Sequence, residues 1–297
     1  MKKVSSALVY YLVVPFMYFF SVLPMAVLFI FSDFFFLLIY YVLGYRRKIV
    51  RMNLANSFPE KSPKELRSIE FRFYRYFTDM VFEMLKLLNM SPKQKLARCR
   101  MDPESQLLFK DLYTKGRSGI VVFGHYGNWE YCPSGLPLQT DFQAYVVYHP
   151  LTNTYFDSLM SRLRTSTGCK LYTMAGTLKG MIVNRNELNM TAFLSDQAPR
   201  RKGAYWSKFL NQETAVHSGS EKIAQKLHMA VIYGSLERIK RGTYIFHTQL
   251  ICEDASKTQD GEITENHLQL LEKDIRKAPE YWLWTHRRWK LKKPNEI

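Results

Sequence analysis

Charge is missing from the start of this 297-residue chain: Val4 to Ser32 holds no charged residue, and Asp33 is the only one between Val4 and Tyr45. Cysteine is scarce as well. Cys99, Cys132, Cys169 and Cys252 show no C-x-x-C pairing and no metal-ligand spacing, which excludes a zinc module and leaves free thiols in a reducing compartment. Fourteen Gly and 12 Pro exclude collagen-like and low-complexity classes, and 47% hydrophobic residues exclude a disordered chain. There is no Walker loop, no G-x-G-x-x-G and no G-x-S-x-G, so nucleotide hydrolysis, dinucleotide redox chemistry and the usual serine hydrolase fall away. No metal and no cofactor is expected. The body has neither an internal repeat nor a linker long enough to divide it.

What is there begins with positive charge. Lys+Arg number 42 against 26 Asp+Glu, a net charge of +16, which calls for a polyanion: nucleic acid, an anionic membrane face, or an acidic protein or substrate. The apolar start helps to choose. Its 29 uncharged residues exceed the roughly 20 that cross a bilayer core. A cleaved signal peptide fits poorly, because the run is about twice a normal apolar region and has no A-x-A-like exit. A buried core helix would be interrupted by Pro15 and Pro24, as a membrane helix would. Residues 1–45 therefore read as a retained membrane anchor, and 46–297 as the catalytic body. Arg46, Arg47, Lys48 and Arg51 follow the anchor and favour a cytoplasmic body beside anionic headgroups.

The spacing then predicts an α/β body. Ser62-Pro63-Lys64-Glu65 is a helix start, and the apolar period carries that helix to about Leu88. A basic stretch, Lys93 to Arg100, links it to a helix near Pro103–Lys115. Strands are expected at Gly119–Phe123, Phe142–Tyr148, Lys170–Thr173, Met190–Leu194, Val231–Glu237 and Thr243–Ile251. Helices are expected at Trp129–Leu138, Tyr155–Ser166, Thr177–Val183 and Thr264–Lys277. This alternation predicts a mostly parallel central sheet flanked by helices.

The chemistry-bearing segment is Gly119-Ile-Val-Val-Phe-Gly-His-Tyr-Gly-Asn-Trp-Glu130. His125 follows an apolar strand between Gly124 and Gly127, with Asn128 placed to cap the next helix. Carboxyl ends of strands are where open α/β sheets bind ligands. There a neutral imidazole can act as base, with Glu130 fixing its tautomer and stabilising the imidazolium. Spacing alone proves little: His267 and Glu272 repeat it inside an amphipathic helix, where five residues turn the side chains apart. Asp196 and Gln197 follow the Met190–Leu194 strand at another carboxyl edge, for a site role or a capping one. Cys132 reads as a small buried thiol.

The segment Gly-His-Tyr-Gly-Asn-Trp-Glu resembles the H-x4-D/E box of the lysophospholipid acyltransferase superfamily, and most closely the late lipid A acyltransferases, lauroyl/myristoyl type, of Gram-negative inner membranes. Tyr45–Glu60, Val147–Asn153, Leu194–Gln197 and Trp282–Lys290 match further stretches, so the resemblance spans nearly the whole chain. It implies a glycerol-3-phosphate acyltransferase-like fold and transfer of a fatty acyl chain from an acyl-carrier-protein thioester to a hydroxyl of a lipid A precursor or related lipid. His125 would deprotonate the acceptor and Glu130 would orient His125. It also implies the bacterial inner membrane, with the body on the cytoplasmic face; positive charge beside an apolar anchor favours anionic lipid heads and an acidic carrier protein over a nucleic-acid partner.

One departure stands out. Where such proteins usually carry Arg, this chain has His149, which is shorter and only partly charged near pH 7. Arg164, or Arg200 and Arg201, could substitute for it. The Trp282–Trp289 stretch suits either a terminal amphipathic helix or aromatic and basic contact at headgroup level. Two other functions use the same residues: hydrolysis of an acyl thioester, with water as acceptor, and non-catalytic binding of membrane or nucleic acid by the positive charge.

Overall fold

The computed structural model describes residues 2–199 and 204–293. Two apolar helices lead, α1 (Lys2–Val22) and α2 (Met25–Leu37), and a π-helical turn over Leu38–Leu43 extends the second. Pro24 parts them, since its ring cannot continue the preceding helix; Pro15 is accommodated inside α1. Met25–Leu43 is long and apolar enough to cross a membrane. One side of it is nonetheless committed to the body, where Leu28 and Phe36 are buried and Ser32 Oγ donates to Asp79 at 2.7 Å.

After α3 (Arg47–Ser57), α4 (Pro63–Leu87) starts at the expected capping box, in which Ser62 and Glu65 satisfy each other's backbone N–H groups. The stretch expected as a basic link instead forms α5 (Pro92–Arg98), with its own Ser91–Gln94 capping box. Gln at the third position does there what Glu does in α4. Then come β1 (Cys99–Met101), α6 (Pro103–Thr114), β2 (Gly119–Phe123), α7 (Tyr131–Gly135), β3 (Gln143–Tyr148), α8 (Thr154–Thr165), β4 (Lys170–Thr173), α9 (Thr177–Val183) and β5 (Asn189–Leu194). A hairpin of β6 (Tyr205–Phe209) and β7 (Gln212–Val216) follows, then α10 (Gly219–Leu227), β8 (Ala230–Lys240), β9 (Thr243–Cys252) and α11 (Glu262–Lys277).

Seven strands form one sheet in the order β1-β9-β8-β2-β5-β3-β4. Every neighbouring pair is parallel except β8 with β9. The expected α/β fold with a mostly parallel sheet is the observed one. β2 lies at its centre, and all five of its residues are buried. Val121 and Phe123 enter one apolar cluster while Ile120 and Val122 enter another, so helices cover both faces.

The end of the chain departs from expectation. Residues 282–293 form no helix. Trp282, Trp284 and Arg288 are buried, and the segment runs back against the turn after β2: Leu283 N–H donates to the His125 carbonyl at 3.1 Å and Gly127 N–H to the Tyr281 carbonyl at 3.0 Å. Aromatics that suggested one face of a helix are spent on clamping this turn.

Candidate active site

The site is built at the carboxyl edge of two adjacent parallel strands. Phe123 at the end of β2 stands opposite Leu194 at the end of β5, so the residues that follow each strand emerge side by side. Ser195 N–H donates to the Phe123 carbonyl at 3.1 Å, which carries the pairing one step further. Gly124 makes the approach possible. A Cβ there would lie 2.7 Å from Leu271 Cδ1 and 3.3 Å from Asp196 Oδ2.

His125 and Asp196 meet at this edge. The His125 backbone N–H donates to Asp196 Oδ2 at 2.9 Å, and His125 Nδ1 lies 2.6 Å from Oδ1. Trp282 Nε1–H donates to Oδ2 at 2.8 Å. Burial pushes the Asp196 carboxyl up, but the His125 imidazole, the His125 N–H and the Trp282 indole together hold it well below the usual carboxylate range. An ionised carboxylate has no proton to give, so Nδ1 carries one, and in the neutral ring Nε2 presents its lone pair. The Gln197 amide N–H donates to that Nε2 at 3.2 Å. The imidazole sits edge-on to Trp129, with centroids 4.7 Å apart, and stays 14% exposed. It is held from behind and reachable from in front.

Glu130 is engaged elsewhere. Arg164 grips it through two parallel bonds, Nε to Oε2 at 3.0 Å and an Nη to Oε1 at 2.5 Å, a fork geometry that fixes both groups. The carboxylate expected to orient His125 is thus paired with Arg164, and Asp196 occupies the orienting position. His149 is exposed after β3, its Nδ1 3.0 Å from the Pro150 carbonyl. Arg200 and Arg201 lie outside the described residues.

Asn128 does not cap a helix. Its amide donates to Glu83 Oε2 at 2.9 Å, where the Tyr244 hydroxyl also donates at 2.7 Å. Glu83 is fully buried on α4, and burial pushes its carboxyl up to about 7 against the pull of Arg238. The turn is therefore tied to α4 on one side and to the chain's end on the other. Gly127, at φ +65°, permits it: a Cβ there would fall 2.6 Å from Leu236 Cβ.

Behind Asp196 lie groups to which the sequence assigned no part in the site. Burial holds the His267 and His286 imidazoles down at about 4, so both are neutral at pH 7. Burial also lowers the Arg288 guanidinium to about 10, Asp196 opposing the shift. Arg288 donates to the Ala215 carbonyl at 2.7 Å. Cys132 is buried with its thiol pushed well above the ordinary range, as a structural thiol requires. Among the described residues no group of three or more His, Cys, Asp or Glu is placed to hold a metal ion.

The assembled parts are an imidazole, a buried carboxylate behind its Nδ1 and an amide donor at its Nε2. They suit removal of a proton from a hydroxyl or a water. The family model of bacterial lipid A biosynthesis acyltransferases matches residues 1–291. A lipid A biosynthesis palmitoleoyltransferase of Escherichia coli (strain K12) is 22% identical over 253 residues, covering 84% of this chain and 81% of its own length. A lipid A biosynthesis acyltransferase of Shigella flexneri matches with the same identity and coverage.

Proposed function

The chain belongs to the bacterial lipid A biosynthesis acyltransferase family, and on that premise we propose that it moves a fatty acyl chain from an acyl-carrier-protein thioester to a hydroxyl of a lipid A precursor or a related membrane lipid. It is an acyltransferase; donor, acceptor and mechanism are our reading. His125 Nε2 takes the proton of the acceptor hydroxyl as that oxygen attacks the thioester carbonyl. Asp196 holds Nδ1–H and stabilises the imidazolium. The tetrahedral intermediate then collapses, the C–S bond breaks, the ester remains and the thiolate leaves with the proton from His125. Gln197 supplies a donor beside the reacting oxygen. Glu130 acts through Arg164, holding the turn rather than the imidazole.

The observation that carries this reading is the double hydrogen bond of His125 to a buried Asp196, which puts the ring proton of a neutral imidazole on Nδ1. The apolar helix Met25–Leu43 and the basic residues after it support a place on the cytoplasmic face of the inner membrane. An acidic carrier protein and anionic headgroups account for the positive charge better than nucleic acid does. Mass spectrometry of lipids from cells with and without the gene tests the assignment. A lipid lighter by one acyl chain should accumulate without it; identical lipid profiles would contradict the proposal.

A further inference from the structure

A second polar cleft opens at the same edge of the sheet. β8 runs parallel to β2, with Ala230 opposite Gly119 and Tyr233 opposite Val122, so its end at Arg238–Lys240 lies on the His125 side. The cleft measures about 280 Å³, and five cations line it: Arg72, Arg75, Arg238, Lys240 and Arg241. Asp79 is buried at its base and takes hydrogen bonds from Arg238 at 2.7 Å and Arg241 at 2.6 Å. Glu280 accepts from Arg72 at 3.1 Å, and Asp33 accepts from Arg241 at 2.7 Å. Glu83 lies 4.0 Å from Arg238 behind them, so the five cations outnumber the carboxylates that face them only narrowly. The least committed cations sit at the rim, where Arg75 is 52% exposed and 3.6 Å from Asp33, which it shares with Arg241, and Lys240 is exposed with no ion pair among the described residues.

The wall of this cleft is the apolar helix. Arg241 lies 4.4 Å over the Phe29 ring and donates to the Phe29 carbonyl at 3.3 Å. Gly242, at φ +70°, lets the β8–β9 turn press on α2, since a Cβ there would fall 2.8 Å from Phe29 Cζ and 3.1 Å from Met25 Cε. Ile30, Phe34, Leu37 and Tyr41 are left exposed at helical spacing along the same helix. An ion pair at mid-helix on one face and a bare apolar stripe on another fit a helix lying against the bilayer surface.

We propose that this cleft binds the phosphate-bearing headgroup of a membrane lipid. The exposed Arg75 guanidinium and the unpaired Lys240 ammonium at the rim suit the oxygens of a phosphate group. The exposed stripe on α2 enters the layer that holds the lipid's chains. The proposal stands apart from the His125 chemistry.

Native mass spectrometry of the full chain in neutral detergent tests it, and the readout needs no turnover. Phosphatidic acid is compared with phosphatidylcholine of the same acyl chains, and with inorganic phosphate. Arg75→Gln with Lys240→Gln removes the rim cations and leaves the Asp79 cluster intact. Lys222→Gln with Lys226→Gln removes equal charge from α10. Wild-type protein should retain phosphatidic acid roughly tenfold or more tightly than phosphatidylcholine, with the rim variant losing that preference and the α10 variant keeping it. Equal loss in both variants, or no headgroup preference in wild type, would overturn the proposal. Inorganic phosphate held as tightly as phosphatidic acid would overturn the assignment to a lipid.

Discussion

Asp196 receives both the backbone N–H and the ring Nδ1 of His125, at 2.9 and 2.6 Å, although 71 residues separate them. One carboxylate thus fixes the position, the ring orientation and the tautomer of the proposed base.

Asp196→Asn keeps the shape and removes the charge. An amide can offer Nδ1 a donor instead of an acceptor, which moves the ring proton to Nε2 and removes the lone pair. The rate of acyl transfer should fall by about 10²–10⁴, with far-UV circular dichroism unchanged. Activity within a fewfold of wild type would remove Asp196 from the mechanism.

Glu130 and Arg164 should behave as a buried ion pair. Glu130→Gln and Arg164→Met should each cost about 3 kcal/mol, because each strands its partner's charge. The double variant should cost less than their sum. Denaturant titration of all four proteins measures this, and strict additivity would show that the pair is not coupled.

Trp282→Phe keeps the ring and deletes the indole N–H that Asp196 accepts. A hydrogen bond to a charged, buried acceptor contributes about 1.5–3 kcal/mol, so thermal unfolding should shift down accordingly. Acid unfolding should also begin at higher pH, because the Asp196 carboxyl loses one of the bonds that hold it ionised, and the acid-unfolding profile checks this. An unmoved profile would leave the indole only a packing role.

Stability should fall below neutral pH for a reason that can be assigned. His267 is neutral in the fold down to about 4 and takes a proton near pH 6.5 when unfolded. The unfolded state then binds more protons across that window, so stability is lost as pH falls from about 6.5 to 4. The full loss from His267 is about 3 kcal/mol at about 1.36 kcal/mol per pH unit, and His286 acts in the same direction. Asp196, whose folded carboxyl is depressed, gives up its contribution only at lower pH. His267→Leu should flatten the pH dependence between 6.5 and 4 without destabilising the protein at pH 7. A curve as steep as wild type would place the titration elsewhere.

Local features were legible in the sequence. The Ser62–Glu65 capping box writes its own hydrogen bonds, and the apolar run Gly119–Phe123 between glycine-bearing turns is a buried strand wherever it folds. The β6–β7 hairpin was not legible, because its turn is Leu210-Asn211, both at positive φ, where glycine would have signalled it. The carboxylate bonded to His125 Nδ1 was hidden for a related reason. Glu130 is five residues away and Asp196 is 71, and only the parallel pairing of β2 with β5 decides which carboxylate arrives. The Trp282–Trp289 stretch resisted because alternating aromatic and basic residues suit a membrane-facing helix as well as a buried strap. What decided it was the indole of Trp282 reaching Asp196 and the Leu283 N–H reaching the His125 carbonyl, neither of which has any local sequence signal.

His125 is the proposed base. Membranes carrying wild-type protein or His125→Ala, given acyl-carrier-protein thioester labelled in its acyl chain and extracted lipid, test it directly. Label should appear in the acceptor lipid, rather than in free fatty acid, at a rate about 10²–10⁴ lower in the variant. Transfer by His125→Ala at the wild-type rate would contradict it.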